Sequence, residues 1–206
     1  MTNAATRNRN HKLKIALLVD SKMDSKYVFE LAEWGQSHNE LEVTHLLIQN
    51  VPSSDQSKIR KAFFLLKKRR FLYLVRAAGF TLIEKAESIG LKHVEAFKNH
   101  LNKYDLSSCV KNIISINPII SKSGFVYRYE GDDIQKIREL NLDVIVRCGS
   151  GILHGEILHS AIFGIISLHH ADNRVNRGVP PGFWEVYSKQ DSTGFTIQQL
   201  TEELDG

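Results

Sequence analysis

The feature that most restricts the fold of this chain is a series of short apolar segments rich in branched residues, each followed by polar residues. The first, Lys14–Val19, stops at Asp20, and a second covers Val43–Ile48. Segments of this length and composition are typical of buried strands. Between them, Tyr27–Trp34 has apolar residues at helical spacing. Strand, helix and strand in this order predict a βαβ unit with a right-handed crossover, and hence a doubly wound α/β fold.

The rest of the chain continues this alternation. Further strands are predicted at Ile113–Ile116, Leu142–Arg147, Ile165–Leu168 and Phe195–Leu200, and helices at Lys92–Leu101, Tyr129–Leu140, Phe183–Tyr187 and, as a short element, Ile152–Ile157 with Ala161. We therefore expect an α/β fold with an open, mostly parallel, twisted sheet and helices on both faces, of Rossmann-like type. The first strand is followed by no glycine-rich fingerprint, so the sequence does not support a dinucleotide site.

Composition indicates one soluble domain, or one domain with a small appendage. Hydrophobic residues make up 42% of the chain and charged residues 24%, a balance that allows one sizeable core. The two cysteines, Cys109 and Cys148, lack CxxC spacing, which argues against a disulfide framework or a thiolate metal site.

The polar residues 1–12 form a predicted flexible basic tail without the apolar core of a signal peptide, and no segment has the length of a transmembrane helix. We expect a cytoplasmic protein.

Positive charge is concentrated in the tail and in Lys67–Arg70. The net charge is +4 and the sequence pI is near 9.0, which suits an anionic partner such as nucleic acid, a nucleotide-linked substrate or polyglutamylated folate. A basic run is more often a solvated helix face. The surrounding segment Ser57–Ala78 is predicted to be a basic amphipathic helix that packs over a core. Alternatively, it binds an anionic membrane surface or RNA. Residues 55–105 are predicted to be a helical insertion.

Polar residues cluster directly after two of the predicted strands. Leu142–Arg147 leads into Gly149-Ser150-Gly151, and Ile165–Leu168 leads into His169 and the polar residues 170–174. Ligands of open α/β sheets bind beyond the carboxyl ends of the strands, and glycines let a ligand approach the backbone. Although a lone Gly-x-Gly is weak evidence, titratable groups after a buried strand indicate a functional site.

The last third of the chain contains four motif positions at characteristic offsets. His169 ends a strand, Gly178 follows nine residues later, Thr193-Gly194 precedes a strand, and Asp205 lies in an acidic Leu-Asp-Gly sequence. His169 and Asp205 are 36 residues apart. On these features the segment Leu142–Gly206 resembles the 10-formyltetrahydrofolate-dependent formyltransferases, which include the glycinamide ribonucleotide, methionyl-tRNA and sugar N-formyltransferases.

The resemblance implies transfer of a formyl group from 10-formyltetrahydrofolate to an amine. Attack by an amine on the formyl carbon places negative charge on oxygen and leaves a surplus proton on nitrogen. His169 would donate a hydrogen bond to the oxyanion, and Asp205 would hold the protonated histidine and relay the proton through water. Without the resemblance, spacing alone would favour a structural role for both residues. His169 would be a hydrogen-bonded histidine at a strand end, and Asp205 would be a residue of a surface turn.

One motif position departs from the family pattern. Ser167 stands where the family has asparagine, so the carboxamide that polarises the formyl oxygen is missing. A serine hydroxyl can donate one hydrogen bond but reaches less far. Because loss of an oxyanion donor costs on the order of 100-fold in rate, either Ser167, a backbone amide or Asn173 compensates, or activity is low or altered.

Binding residues follow from the same resemblance. The pteridine ring is expected against the backbone of Gly151, Ile152, Leu153, Glu202, Glu203 and Leu204. Backbone amides and carbonyls between apolar walls suit a flat heterocycle that forms many hydrogen bonds. As side chains, Ile152 and Leu153 are as well explained by an ordinary core.

The acceptor is expected to be a small-molecule amine. The family's Pro-Ser-Leu-Leu-Pro after the histidine is absent, and Asn173, Arg174 and Arg177 are the candidate substrate-binding residues. Arginine forks match phosphate geometry, which favours a nucleotide-linked amino sugar over nucleic acid. Pairing of the arginines with Asp172 or Glu185 is the alternative. The sequence leaves the oligomeric state open.

Other functions compete with formyl transfer. A metal-dependent hydrolase would use His169, His170 and Asp172, with His154 or His159, but adjacent histidines of a strand point to opposite faces. A folate-binding scaffold with little catalysis, or a formyltetrahydrofolate hydrolase, fits the loss of the asparagine. The chain stops inside the acidic loop, where family members continue with further elements, so we expect truncation at the C-terminus.

Overall fold

Six of the eleven described strands form the central sheet. The computed structural model describes residues 12–51, 71–169 and 182–203. The strands are β1 (Leu13–Val19), β2 (Met23–Asp24), β3 (Leu41–Gln49), β4 (Tyr104–Asp105), β5 (Asn112–Ile116), β6 (Ile119–Ile120), β7 (Val126–Arg128), β8 (Val144–Arg147), β9 (Ile152–Leu153), β10 (Ile165–His169) and β11 (Thr196–Gln199). The helices are α1 (Lys26–Ser37), α2 (Phe71–Leu91), α3 (Glu95–Leu101), α4 (Asp132–Glu139) and α5 (Phe183–Tyr187), with 3-10 turns at Leu106–Ser108 and Glu156–His159.

The strand order of the central sheet is β5-β3-β1-β8-β10-β11. The first five strands are parallel neighbours, and β11 pairs antiparallel with β10. The chain begins in the middle with β1, proceeds outward through β3 and β5, and then returns to the other side of β1 with β8 and β10. This reversal between β1 and β8 is the topological switch point at which open α/β sheets bind ligands. The α/β architecture with a mostly parallel sheet is confirmed.

Apolar residues of β1 feed two hydrophobic clusters, one on each face of the sheet. Ala16 and Leu18 belong to the cluster that includes Ile134 and Ile137 of α4. Leu17 belongs to the other cluster, which includes residues of α1. Successive side chains of a strand point to opposite faces, so helices cover both faces. The continuous apolar sequence of β1 is explained by this double burial.

The prediction of a short helix over Ile152–Ile157 is wrong for its first two residues. Ile152–Leu153 is strand β9, which pairs in parallel with Val126–Tyr127 of a separate three-stranded sheet. Gly151 and Gly155 bracket this strand with φ values of +82° and +84°. Backbone at positive φ does not continue a right-handed helix, and the intervening residues gain backbone hydrogen bonds by pairing with β7.

The predicted insertion is described only in part. Residues 52–70, which include Lys67–Arg70, lie outside the described residues, as does most of the tail. Helix α2 continues to Leu91, well beyond the predicted end at Ala78. From Ala78 onward its side chains are mostly exposed, and none belongs to either core cluster. None of the helices in the described ranges combines the length and the apolar content needed to cross a bilayer.

Candidate functional site

Charged and polar side chains meet at the carboxyl edge of the three central strands. Asp20 directly follows β1, Gln49 ends β3 and Arg147 ends β8. Because parallel strands present their carboxyl ends at the same edge, these side chains from distant parts of the sequence become neighbours. Asp20 and Ser150 are exposed at this edge, whereas Gln49 is fully buried.

Asp20 and Gln49 fix the loop that follows β8. The Asp20 carboxylate accepts hydrogen bonds from Ser150 N at 3.0 and 3.1 Å, from Ser150 Oγ at 3.1 Å and from Gln49 Nε2. Gln49 Nε2 also donates to the Ser150 carbonyl at 2.9 Å. The hydroxyl of Tyr129, itself buried, donates to Gln49 Oε1 at 2.6 Å. Burial, followed by the charge of Asp20, raises the pKa of Tyr129, so the hydroxyl stays protonated as a donor.

The two glycines of the loop are required for its close approach to the sheet. A Cβ at position 149 would lie 2.6 Å from Gln49 Nε2 and 2.9 Å from Asp20 Oδ1. Gly151 has φ +82°, and a Cβ there would overlap the ring of Tyr127. The Gly-x-Gly pattern therefore has a packing role in this fold.

Arg147 connects β8 to Ser167 on the next strand. The parallel register places Ser167 beside Arg147, and Arg147 Nη1 donates to Ser167 Oγ at 3.2 Å. Nη2 of the same guanidinium donates to the carbonyl of Gly151. Ser167 is 4% exposed. Burial lowers the pKa of Arg147, and the nearby Asp20 charge opposes that effect.

His169 is the last residue of β10 and is half-buried. It lies opposite Thr196 of β11 in the antiparallel register. Ser167 and His169 are two residues apart on a strand, so they share one face of the sheet. This is also the face of Arg147. Asp205, the predicted partner of His169, lies outside the described residues.

Glu202, in the second predicted cofactor-binding segment, contacts the two residues that follow the first segment. Glu202 accepts a hydrogen bond from Gly155 N at 3.1 Å, and its other oxygen lies 2.8 Å from His154 Nε2. These partners directly follow Leu153 in sequence. Leu153 is buried in the core, whereas Ile152 is 39% exposed. The Glu202 carboxylate thus joins the two loops.

The remaining predicted cofactor residues are only partly described. Glu203 is exposed, and its carbonyl accepts a hydrogen bond from Thr201 Oγ1 at 3.2 Å. Leu204 lies outside the described residues.

Other predicted site residues fall in parts of the chain that the structure does not describe. They are the substrate-binding candidates Asn173, Arg174 and Arg177, together with His170 and Asp172 of the metal hypothesis. In the described ranges, no group of three or more His, Cys, Asp or Glu side chains is arranged to hold a metal ion.

The sequence analysis did not single out Arg147, Asp20, Gln49 and Tyr129, whose side chains form the polar contacts at this edge. A signal was present for two of them, since Asp20 and Arg147 are charged residues at the carboxyl ends of buried apolar strands. Gln49 and Tyr129 gave no such signal, because the bond between them joins residues 80 positions apart.

The strand order and the polar edge define the class of this protein as an open α/β sheet of Rossmann-like architecture. A comparison with protein-family models gives no match, and a comparison with curated proteins gives no significant match.

Proposed function

We propose that this chain transfers a formyl group from 10-formyltetrahydrofolate to an amine. The main structural support is that Ser167 and His169 end β10 at the carboxyl edge of the parallel strands. A separate contact, from Glu202 to the two residues after Leu153, joins the two loops expected to hold the cofactor. The carboxyl edge of parallel strands is also where α/β sheets hold ligands.

In the proposed reaction, the lone pair of the amine forms a C–N bond to the formyl carbon, and the carbonyl π electrons move onto oxygen. His169 donates a hydrogen bond to that oxygen. Asp205 accepts, through water, the proton that the attacking nitrogen loses. Collapse restores the carbonyl and breaks the bond to the folate nitrogen, which takes a proton as tetrahydrofolate leaves.

The formyl donor is proposed to lie against the backbone of the two joined loops. The Ile152 amide donates to Phe125 and the Gly151 carbonyl accepts from Arg147, so the pteridine ring would use the remaining backbone groups of Gly151–Leu153, and the half-exposed Ile152 supplies apolar surface. Because Glu202 is bonded to His154 and Gly155, its role in this proposal is to hold the loops together. Leu204 and Glu203 would complete this wall.

The acceptor is proposed to be a small-molecule amine, with a nucleotide-linked amino sugar as the first candidate. Asn173, Arg174 and Arg177 would bind its phosphate groups, since arginine binds phosphate with two parallel hydrogen bonds.

The test is incubation of the 206-residue chain with 10-formyltetrahydrofolate and a panel of amines, followed by mass detection of a formyl adduct and of tetrahydrofolate. We expect His169→Asn to lower the rate by on the order of 100-fold. His93→Asn is the matched control, because His93 is exposed within the insertion, and it should leave the rate unchanged. Full activity of His169→Asn would contradict the assigned role.

Ser167 in place of the family's asparagine favours two alternative outcomes of the same assay. Release of formate without an amine would indicate a formyltetrahydrofolate hydrolase. Binding of the folate with neither product would indicate a folate-binding scaffold.

A further inference from the structure

Arg147 carries a positive charge in a mostly buried position. Among the described residues, its guanidinium forms no ion pair with Asp or Glu. Asp20 is the acidic group with the largest effect on the pKa of Arg147, but the Asp20 oxygens already accept hydrogen bonds from Ser150 and Gln49. Buried charges in proteins are normally paired, so this arginine has unused capacity for an anion.

The hydrogen bonds of Arg147 leave part of its donor set unused. It donates to two neutral acceptors, Ser167 Oγ at 3.2 Å and the Gly151 carbonyl. Nε is shielded from solvent and has no hydrogen-bond partner in the described part of the chain. A guanidinium has five N–H donors in a planar fork that matches the two oxygens of a carboxylate or similar oxyanion.

The contact with Arg147 also determines what the Ser167 hydroxyl can do. An arginine can only donate, so Ser167 Oγ is the acceptor in this bond and its own hydrogen is directed to another group. A positive charge on the accepting side polarises the O–H and strengthens it as a donor. His169 lies two residues further along the same face of β10.

We propose that Arg147 and Ser167 form a binding site for a small oxyanion beside His169. The inference rests on the proposed function in one respect: the physiological oxyanion would be the oxygen of the tetrahedral formyl intermediate. Ser167 would donate the hydrogen bond that the family's carboxamide donates, and Arg147 would supply the charge. Arg147 stays protonated throughout and transfers no proton, so the electron and proton movements of the proposed reaction are unchanged.

Direct binding of formate tests the site without requiring turnover. Formate is titrated into the 206-residue chain and followed by its NMR signal, with inorganic phosphate as the second ligand. We expect saturable binding that Arg147→Gln weakens by about 10- to 100-fold, the value of a lost charge-assisted hydrogen bond. Ser167→Ala should weaken it less. Arg138→Gln is the matched control, since Arg138 is exposed and pairs with Glu156 at 2.9 Å, and it should bind like the original chain.

Three results of the titration would overturn the inference. The first is no formate binding by the original chain, and the second is formate binding by Arg147→Gln and Ser167→Ala that is as tight as that of the original chain. The third is phosphate binding more than about tenfold tighter than formate binding, which would indicate a phosphate subsite. If Arg147→Gln fails to fold, Arg147→Lys keeps the charge without the fork. It should then bind formate several-fold more weakly, and unchanged affinity would overturn the inference.

Kinetics separate this inference from the proposed function. If the chain transfers formyl groups, Arg147→Gln should lower kcat by about 100-fold while KM for 10-formyltetrahydrofolate stays within about threefold. Adding Ser167→Asn to Arg147→Gln should recover part of kcat, which a merely structural role would not produce. Unchanged kcat in Arg147→Gln would overturn the inference but leave formyl transfer standing. If formate binding depends on Arg147 but the chain transfers no formyl group, the oxyanion site stands and the proposed formyl transfer is contradicted.

Discussion

Asp133 illustrates how hydrogen bonds at a single residue outweigh burial. Burial by itself would raise the pKa of this carboxyl, but hydrogen bonds to its charged form lower the pKa overall. Its Oδ2 accepts from Asn117 N at 2.8 Å and from Asn117 Nδ2 at 3.3 Å, and Oδ1 accepts from Lys136 Nζ at 3.2 Å. The first turn of α4 is thereby attached to the end of β5.

Asp133→Asn should lower the free energy of unfolding by about 1 kcal/mol at neutral pH, because the amide loses the charge-assisted bonds. A carboxyl whose folded pKa lies below its unfolded pKa stabilises the protein above the unfolded value. The difference between the original and variant chains should therefore be constant near neutral pH and shrink as pH falls below 3.8. Urea denaturation at several pH values measures it.

The control for this prediction is Asp132→Asn. Asp132 occupies the same first turn of α4 but is exposed, so only a few tenths of a kcal/mol of helix-dipole energy should be lost. A loss at Asp132 as large as that at Asp133 would contradict the explanation.

Cys148 is a residue whose reactivity is set by its surroundings. Burial, with a smaller effect of the Asp24 charge, raises the pKa of the thiol to about 12. Because the thiolate is the reactive form, alkylation by iodoacetamide at pH 8 should be about 100- to 1000-fold slower than for an exposed cysteine. The measurement uses Cys109→Ser, which leaves one thiol. The same variant in denaturant should react at the ordinary rate, and rapid alkylation of the native form would refute the prediction.

At the scale of elements, helix α1 packs closely on β3 at Gly35. This glycine is buried, and a Cβ at its position would overlap Val43 Cγ2. Gly35→Ala should therefore lower the free energy of unfolding by about 1–3 kcal/mol through overpacking. Gly79, in α2, has nothing within 4 Å of the corresponding Cβ position, so Gly79→Ala should raise stability by about 0.5–1 kcal/mol. Thermal or urea denaturation of both variants is the test, and equal effects would contradict it.

The elements that could be predicted from the sequence are those defined by local patterns. The strands β1, β3, β5, β8 and β10 are continuous apolar segments bounded by polar residues, and the structure has a strand at each predicted place. Strand β9 was mistaken for a helix because its two residues, Ile152 and Leu153, owe their conformation to pairing with β7. That pairing is not encoded in a local period.

The same distinction applies to the candidate site. Ser167 and His169 could be singled out as candidates because they end a buried strand. The bond from Arg147 to Ser167 joins neighbouring strands and depends on the register of β8 and β10. Nor could the link between Glu202 and His154 be read from the sequence, since the two residues are far apart along the chain.

At the scale of the whole molecule, the apolar core residues and the polar residues of the candidate site lie on different parts of the sheet. The two apolar clusters occupy its faces, and the polar network occupies the carboxyl edge around Asp20 and Arg147. Tyr129 belongs to one of these clusters and donates to Gln49 at the edge, so the core and the polar network are directly connected.

The central position of β1 determines how rarely its backbone amides become accessible to solvent. Its backbone is paired on both sides, with β3 and β8, and Ala16–Val19 are 0% exposed. Amide hydrogens in such a place exchange with deuterium only when the whole domain opens. Peptides that contain Ala16–Val19 should be the slowest to gain mass in an exchange experiment, whereas exposed residues of α2 should label early. Equal labelling of the two regions would mean that the sheet does not unfold as a single cooperative unit.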